Sequence, residues 1–385
     1  RVLFRSFILL VKTTNNIPDK DSGIGTGNFS ENFPKVHYFY TPFAMDKQIT
    51  IKDIALALKV SVSTVSRALR DAPDVGEETR KAVKALAEEL DYQPNKLALS
   101  LLRKTTNTIG LIIPNLDYVL ATMVKGIDEV ALEAGYTVMV CQSDESFGRE
   151  MVNTKRLLES LVDGFIISVS SQTMVFEHIK KIQARKIPLV LFDRVIDNIP
   201  VPKVRLDNVE GGRIATQHLI DQGYKRIALL AGPENLNISN ERMQGYLEVL
   251  KAHKIKADKN LITHCDFNQE YAYLAAKELL AMKNRPDAIF AISDRLAIGA
   301  MLAIKEAGLR MPQDIGLMGF NNEPITKLLT PSISSVDMFA FEMGKATAKM
   351  FIQLLHGDGE LPDKEVIIKP KLFARESTNK KRNIL

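Results

Sequence analysis

In the stretch VSVSTVSRALRD (60–71), Ser63, Arg67 and Arg70 stand at helical spacings i, i+4 and i+7. A helix there presents two guanidinium groups and a hydroxyl on one face, which is chemistry for hydrogen bonding to base edges and phosphates rather than for proton transfer. Val65, Ala68 and Leu69 fall on another face as an inward stripe. Val, Ser and Thr are mediocre helix formers, yet their short side chains let a helix approach a groove closely. Catalytic alternatives find no support. The six histidines never form H-E-x-x-H, and no phosphate-cradling loop, G-x-S-x-G or close set of carboxylates with a histidine occurs. Cys141 and Cys265 stand alone, as reduced thiols of a cytoplasmic protein do.

The elements that must hold this face are legible around it. Thr50 followed by Asp53 reads as a capping box opening a helix over about 51–58. After a turn at Lys59–Val60, Ser61 is a suitable N-cap for a second helix ending near Leu69. A third helix is predicted from Glu77 to Leu90, buried through Val83, Leu86, Ala87 and Leu90, with Gly76 as its cap. Two short helices joined by a tight turn make the helix-turn-helix pattern, whose second helix enters the major groove. Three short helices also make an ordinary bundle, and the head is only weakly basic. The case for DNA therefore rests on arrangement, as the chain's 51 Lys+Arg against 46 Asp+Glu is too even to reveal such a partner.

At 385 residues, 45% apolar and 25% charged, the chain is globular and too long for one core. Residues 1–47 read as a disordered leader. The opening RVLFRSFILLVK is short for a signal peptide, leads to no cleavage site, and precedes a Met45 at which translation is expected to start, so that residues 1–44 would be upstream codons.

TIKDIALALKVSVSTVSRALRDAPDVGEETRKAVKALAEELDYQPNKLALSL (50–101) resembles the head of the lactose-repressor/galactose-repressor (LacI/GalR) family of transcription regulators, and V-S-x-x-T-V-S-R followed by Y-x-P-N is a specific signature. The resemblance implies that Val62, Ser63 and Arg67 read bases while Ser61, Thr64 and Ser66 anchor the helix to the backbone. Thr50, Arg70, Asn95 and Leu101 complete the expected DNA-binding set. Residues 48–93 would be the helix-turn-helix domain and 94–106 a hinge helix and linker. Asn95 can cap the segment KLALSLL, and the family's hinge leucine, matched by Leu101, wedges into the minor groove. Gly76 and Leu99 depart from the usual family residues.

Beyond Asn107, apolar runs alternate with amphipathic helices: TIGLII, YTVMVC, GFIISV, PLVLF, RIALLA, DAIFAI and IGLMGF. This βα alternation predicts α/β architecture, with about four strands before residue 207 and as many after it forming two similar doubly wound, parallel-sheet halves. The cleft between such halves is the natural ligand site. The resemblance extends to RESTNKK and implies a periplasmic-binding-protein-like core over 107–378, holding a small effector such as a sugar or, in some members, a purine, with a short tail after it. On matched motifs it assigns Arg242 to grip effector oxygens, Phe267 to stack on the ligand ring, and Ser293, Asp294 and Asp193 to strand ends at the cleft. Tyr118 and Asn321 complete the expected effector set. Asn321 stands where many relatives carry aspartate, and the Tyr118 loop lacks the family's aromatics. Both changes make the pocket less hostile to an anionic ligand, so a sugar acid joins neutral saccharides as an expected effector.

The expectation is a homodimeric repressor of transcription, cytoplasmic, binding a near-palindromic operator and shifting affinity when the cleft fills, with no metal or cofactor and no membrane partner. An exported binding protein would share the core but has no use for residues 50–101. An enzyme in the cleft would need a catalytic set that the sequence lacks.

Overall fold

The computed structural model describes residues 49–93, 105–357 and 364–380. The expected leader, Asn95, Leu101 and nearly all of the expected hinge lie outside them. The chain divides into two compact units at Pro94/Asn95.

In the first unit the three helices are α1 (Ile51–Ala57), α2 (Val62–Leu69) and α3 (Glu77–Glu89). Ile54, Val65, Ala68 and Val83 are fully buried among them, and Leu58, Leu69, Leu86 and Tyr92 pack around that core. The turn between α1 and α2 needs a left-handed residue, taken by Lys59 at φ 53°. Arg80 closes the α2–α3 loop by donating to the carbonyls of Ala72 (3.0 Å) and Val75 (2.8 Å). Gly76 sits at the N-cap of α3 as expected.

The second unit holds two sheets. The strands are β1 (Thr108–Ile113), β2 (Thr137–Gln142), β3 (Gly164–Ile167), β4 (Leu189–Phe192), β5 (Lys203–Leu206), β6 (Ile227–Ala231), β7 (Ile262–His264), β8 (Ala288–Ala291), β9 (Gly316–Asn321), β10 (Ser334–Asp337), β11 (Glu365–Ile368) and β12 (Lys371–Phe373). One sheet has the order β11-β5-β4-β3-β1-β2 and is wholly parallel. The other runs β12-β10-β9-β8-β6-β7, parallel except for β12. Fully buried β3, β4, β6 and β8 explain the continuous apolar runs, since helices cover both faces.

The lobes are not consecutive halves of the chain. The first sheet carries α4 (Tyr118–Glu133), α5 (Phe147–Glu159), α6 (Glu177–Ala184) and, from far along the sequence, α12 (Ala340–His356), which packs on α4. The second carries α7 (Asn208–Asp221), α8 (Asn237–Ala252), α9 (Gln269–Ala281), α10 (Asp294–Glu306) and the short α11 (Ile325–Leu328). The chain thus crosses between lobes after β5, after β10 and after β11. A division at residue 207 is corrected accordingly, because β11 and α12 return to complete the first lobe. On the other lobe α7 and α8 cross closely at glycine. A Cβ on Gly212 would stand 2.2 Å from the Arg242 carbonyl oxygen, and one on Gly245 would stand 2.1 Å from that of Val209. That approach fixes the helix from which Arg242 projects.

Candidate functional sites

On α2 the hydroxyl of Ser61 accepts from Thr64 N–H at 3.0 Å and lies 2.7 and 2.8 Å from the Ser63 and Thr64 hydroxyls. This cap holds a helix whose residues favour it weakly. Val62 and Ser63 are exposed, and Arg67 reaches outward, donating to Asp74 at 2.7 Å. Arg70 folds back onto the carbonyl (3.0 Å) and hydroxyl (3.1 Å) of Ser66. The amide and hydroxyl of Thr50 both donate to the Asp53 carboxylate, the capping interaction expected from their spacing. Asp74 carried no signal in the sequence, because it lies in the loop after α2, where helical spacing no longer says which side chains meet.

A cleft lies between the two lobes of this unit. Strand ends and helix starts build it: Asp117, Val119 and Leu120 after β1; Asp193 and Arg194 after β4; Ile238 and Arg242 on α8; Phe267 after β7; Ser293 and Arg295 at the start of α10; Asn321 and Glu323 at and beyond the end of β9; and Met338 after β10. Of the expected effector residues, Asp193, Arg242, Phe267, Ser293 and Asn321 meet here.

Arg242 is 2% exposed and held on three sides. Its Nε donates to Asn208 Oδ1 at 2.9 Å, its Nη1 to the Ile292 carbonyl at 2.6 Å, and its guanidinium stacks on Phe320 with the central carbon 3.8 Å from the ring centroid. Burial lowers its pKa to about 10, leaving it charged at neutral pH. Among the described residues Nη2 has no hydrogen-bond partner and can donate. Asp193 is buried with a left-handed backbone (φ 56°), and burial pushes its carboxyl up while Arg194 and Arg242 pull it back. The Arg194 guanidinium carbon stands 5.4 Å from the Phe267 ring centroid. Burial also raises the Glu323 carboxyl, with Arg295 opposing. Arg295 reaches across the mouth to Asp117 of the other lobe at 3.9 Å. Left-handed residues gather at these strand ends, at Asp144, Glu145, Asp193, Asn321 and Asn322, where strain is characteristically tolerated for a function.

Two expected residues lie elsewhere. Tyr118 opens α4 half-exposed and outside the lining, because neighbouring helix positions point about 100° apart and it is Asp117, Val119 and Leu120 that face inward. Asp294 is fully buried behind the cleft, accepting from Glu323 N–H (2.7 Å) and Ser335 Oγ (2.7 Å). Burial lifts its carboxyl to about 8, against those hydrogen bonds, which favour the charged form. Its folded pKa therefore lies above the ordinary 3.8, and the unfolded chain ionises first as pH rises. The stability gained from the neutral form is complete below about pH 4 and is lost toward about pH 8. Asp294→Asn is expected to flatten the fall of Tm between those limits, and an unchanged slope would assign the titration to another group.

Asp117, Arg194, Arg295 and Glu323 escaped the sequence reading, although each stands one or two positions from a residue it chose. Asp117 and Glu323 add two carboxyl groups to the lining that the sequence reading did not count, one of them two residues beyond Asn321.

A helix-turn-helix head joined in one chain to a two-lobed core with a polar ligand cleft defines a DNA-binding regulator controlled by a small molecule. Residues 106–376 match the family model of periplasmic binding proteins and the sugar binding domain of the LacI family, and residues 50–95 match that of bacterial regulatory proteins of the lacI family. The chain belongs to the LacI family of transcriptional repressors, which are not enzymes. It is 34% identical over 330 residues to the ribose operon repressor of Halalkalibacterium halodurans, covering 86% of this chain and 97% of that protein. It is 30% identical over 326 residues to the transcriptional repressor CytR of Escherichia coli, covering 83% and 95%. Among solved structures it is similar to the lac repressor dimer bound to operator and the anti-inducer ONPF (TM-score 0.78, 26% identity, covering 86% and 99%). It is also similar to a CelR–cellobiose complex (TM-score 0.64, 28% identity, covering 86% and 99%). Among the described residues no helix is long and apolar enough to cross a membrane.

Proposed function

We propose that this repressor works as a homodimer on a near-palindromic operator, reading bases with Val62, Ser63 and Arg67, and that a neutral, hydroxyl-rich ring compound in the cleft changes its operator affinity. The observation that carries the effector reading is the free edge of Arg242, which shares the cleft with the carboxyl groups of Asp117, Asp193 and Glu323. Among the described residues neither Asp193 nor Glu323 accepts a hydrogen bond on its side chain. Carboxylates accept from hydroxyls, the guanidinium donates to their oxygens, and Phe267 offers an apolar face. Four carboxylates, counting Glu145 behind Arg194, against three guanidiniums disfavour an anionic ligand. The relatives support a sugar-type compound, one being named for a ribose operon and one solved with cellobiose. Dimerisation is supported by exposed apolar side chains, Met139 and Val140 on the edge strand β2 and Met151 and Val152 on α5, which suit a second copy.

Calorimetric titration of the full chain with D-ribose, cytidine, cellobiose and D-glucuronate tests the effector reading. Heat is expected from at least one neutral compound and none from the uronate. Preference for the uronate would overturn neutrality, and silence toward all four would overturn the sugar-type effector.

A further inference from the structure

We infer that Glu145 is a positioning residue that clasps the two lobes across the cleft, a role that rests on the cleft being the effector site. Its carboxylate does two things at once. Both oxygens accept from Arg194 Nη1, at 2.9 and 2.8 Å, and so hold that guanidinium beside Phe267. Oε2 also accepts from Ser171 N–H at 2.8 Å. The carbonyl of the same Ser171 receives the side-chain amide of Asn235, which comes from the loop after β6 on the opposite lobe. Asn235 also lies 3.7 Å from Met174 Sδ. One carboxylate therefore orients a cleft-lining arginine and seats the peptide that the other lobe grasps.

The surroundings leave this peptide little freedom. On its far side the fully buried Glu150 accepts from Ser170 N–H (2.7 Å) and Thr173 Oγ1 (3.0 Å) and lies 2.8 Å from His178 Nε2. The segment from Ser170 to Thr173 is thus fastened by two carboxylates, Glu145 on the N–H of Ser171 and Glu150 on Ser170 and Thr173. Glu145 reaches its partners through two consecutive left-handed residues, Asp144 and itself, at φ 55° and 56°. Within Arg194, Nε is buried without a partner, leaving donors for a ligand that would then compete with Glu145 for the same guanidinium. A ligand that engages Arg194 acts on the clasp through Glu145.

The test uses the full chain without DNA or ligand. Spin labels are placed at Lys155→Cys on α5 and Lys251→Cys on α8, with Cys141 and Cys265 replaced by Ser, and the inter-lobe distance distribution is read by pulsed electron resonance. Asn235→Ala is expected to shift the distribution to longer distances. Glu145→Gln should produce the same shift, and the double variant no more than either alone. Glu145→Asp, which keeps the charge, should recover part of the short-distance population. An unchanged distribution in Glu145→Gln would overturn the clasp, as would a shift that adds to that of Asn235→Ala or one that Glu145→Asp leaves unrelieved. Because no ligand enters the measurement, its failure leaves the effector reading standing, whereas calorimetric silence would overturn that reading alone.

Discussion

Replacing Arg67 with Ala is expected to weaken binding to a selected operator by roughly 1–3 kcal/mol per lost bidentate base contact, with a much smaller loss on random-sequence DNA. The structure gives the reason for the asymmetry. Arg67 stands on the exposed face of α2, and its partner Asp74 is itself half exposed, with side-chain exposures of 45% and 54%. Such a surface pair contributes little, so exchanging it for a guanine edge costs little. The backbone of α2, by contrast, is fixed independently of Arg67 by the Ser61 cap and by Val65 and Ala68 in the core, so the variant should fold unchanged. An operator is obtained by selection from random duplexes, and anisotropy at one fixed salt concentration then compares specific with non-specific affinity. Equal losses on both would mean that Arg67 touches phosphate only.

The second large effect is expected at Arg242. Arg242→Lys should reduce affinity for whichever titrated ligand the native chain binds by about 2–5 kcal/mol, the usual consequence of truncating a buried charge contact, while operator binding without ligand persists. A lysine cannot lie flat on Phe320 while donating to Asn208 and to the Ile292 carbonyl. Each buried acceptor left without its donor costs a further ~1–3 kcal/mol of stability, which a thermal melt should register. Calorimetry separates the two effects. Retained ligand affinity with a lowered Tm would make Arg242 a structural clamp rather than a ligand contact.

What the sequence disclosed follows from how local each feature is. The recognition helix was legible because its cap, its turn and its inward stripe all lie within twelve residues. The buried strands β1, β3, β4, β6, β8 and β9 were legible as apolar runs, β1 at its observed ends and the others with an end shifted by one or two positions. The strands missed are short or lie at or near a sheet edge: β7 and β12 span three residues each, and in β5 charged and apolar residues alternate in KVRL. Nothing in a local pattern says that β11 joins the first lobe, since its partner β5 lies far away in sequence. In the cleft, Arg242 and Phe267 were reached through matched motifs, while Tyr118 stands one helix position from the lining. Asp294 lies behind the lining for a different reason: a carboxylate at a strand end can point into the lobe as readily as out of it, and only the packing of Ser335 and Gly319 decides.

The three crossings between lobes also govern how the molecule is made. β11 leaves the ribosome about 160 residues after the β5 strand it pairs with, which at ~5–20 residues per second is roughly 10–30 s of synthesis. Throughout that interval the first sheet has an open edge beside β5, and for most of it α4 lacks the α12 helix that packs on it. The amino-terminal lobe is therefore begun first but gains its sixth strand only after β6 to β10 of the other lobe have emerged, and β12 of that other lobe follows last. Nascent chains of this repressor thus carry an unfinished effector core during much of translation, and a truncation that spares every cleft residue but removes β11 would leave that lobe permanently open.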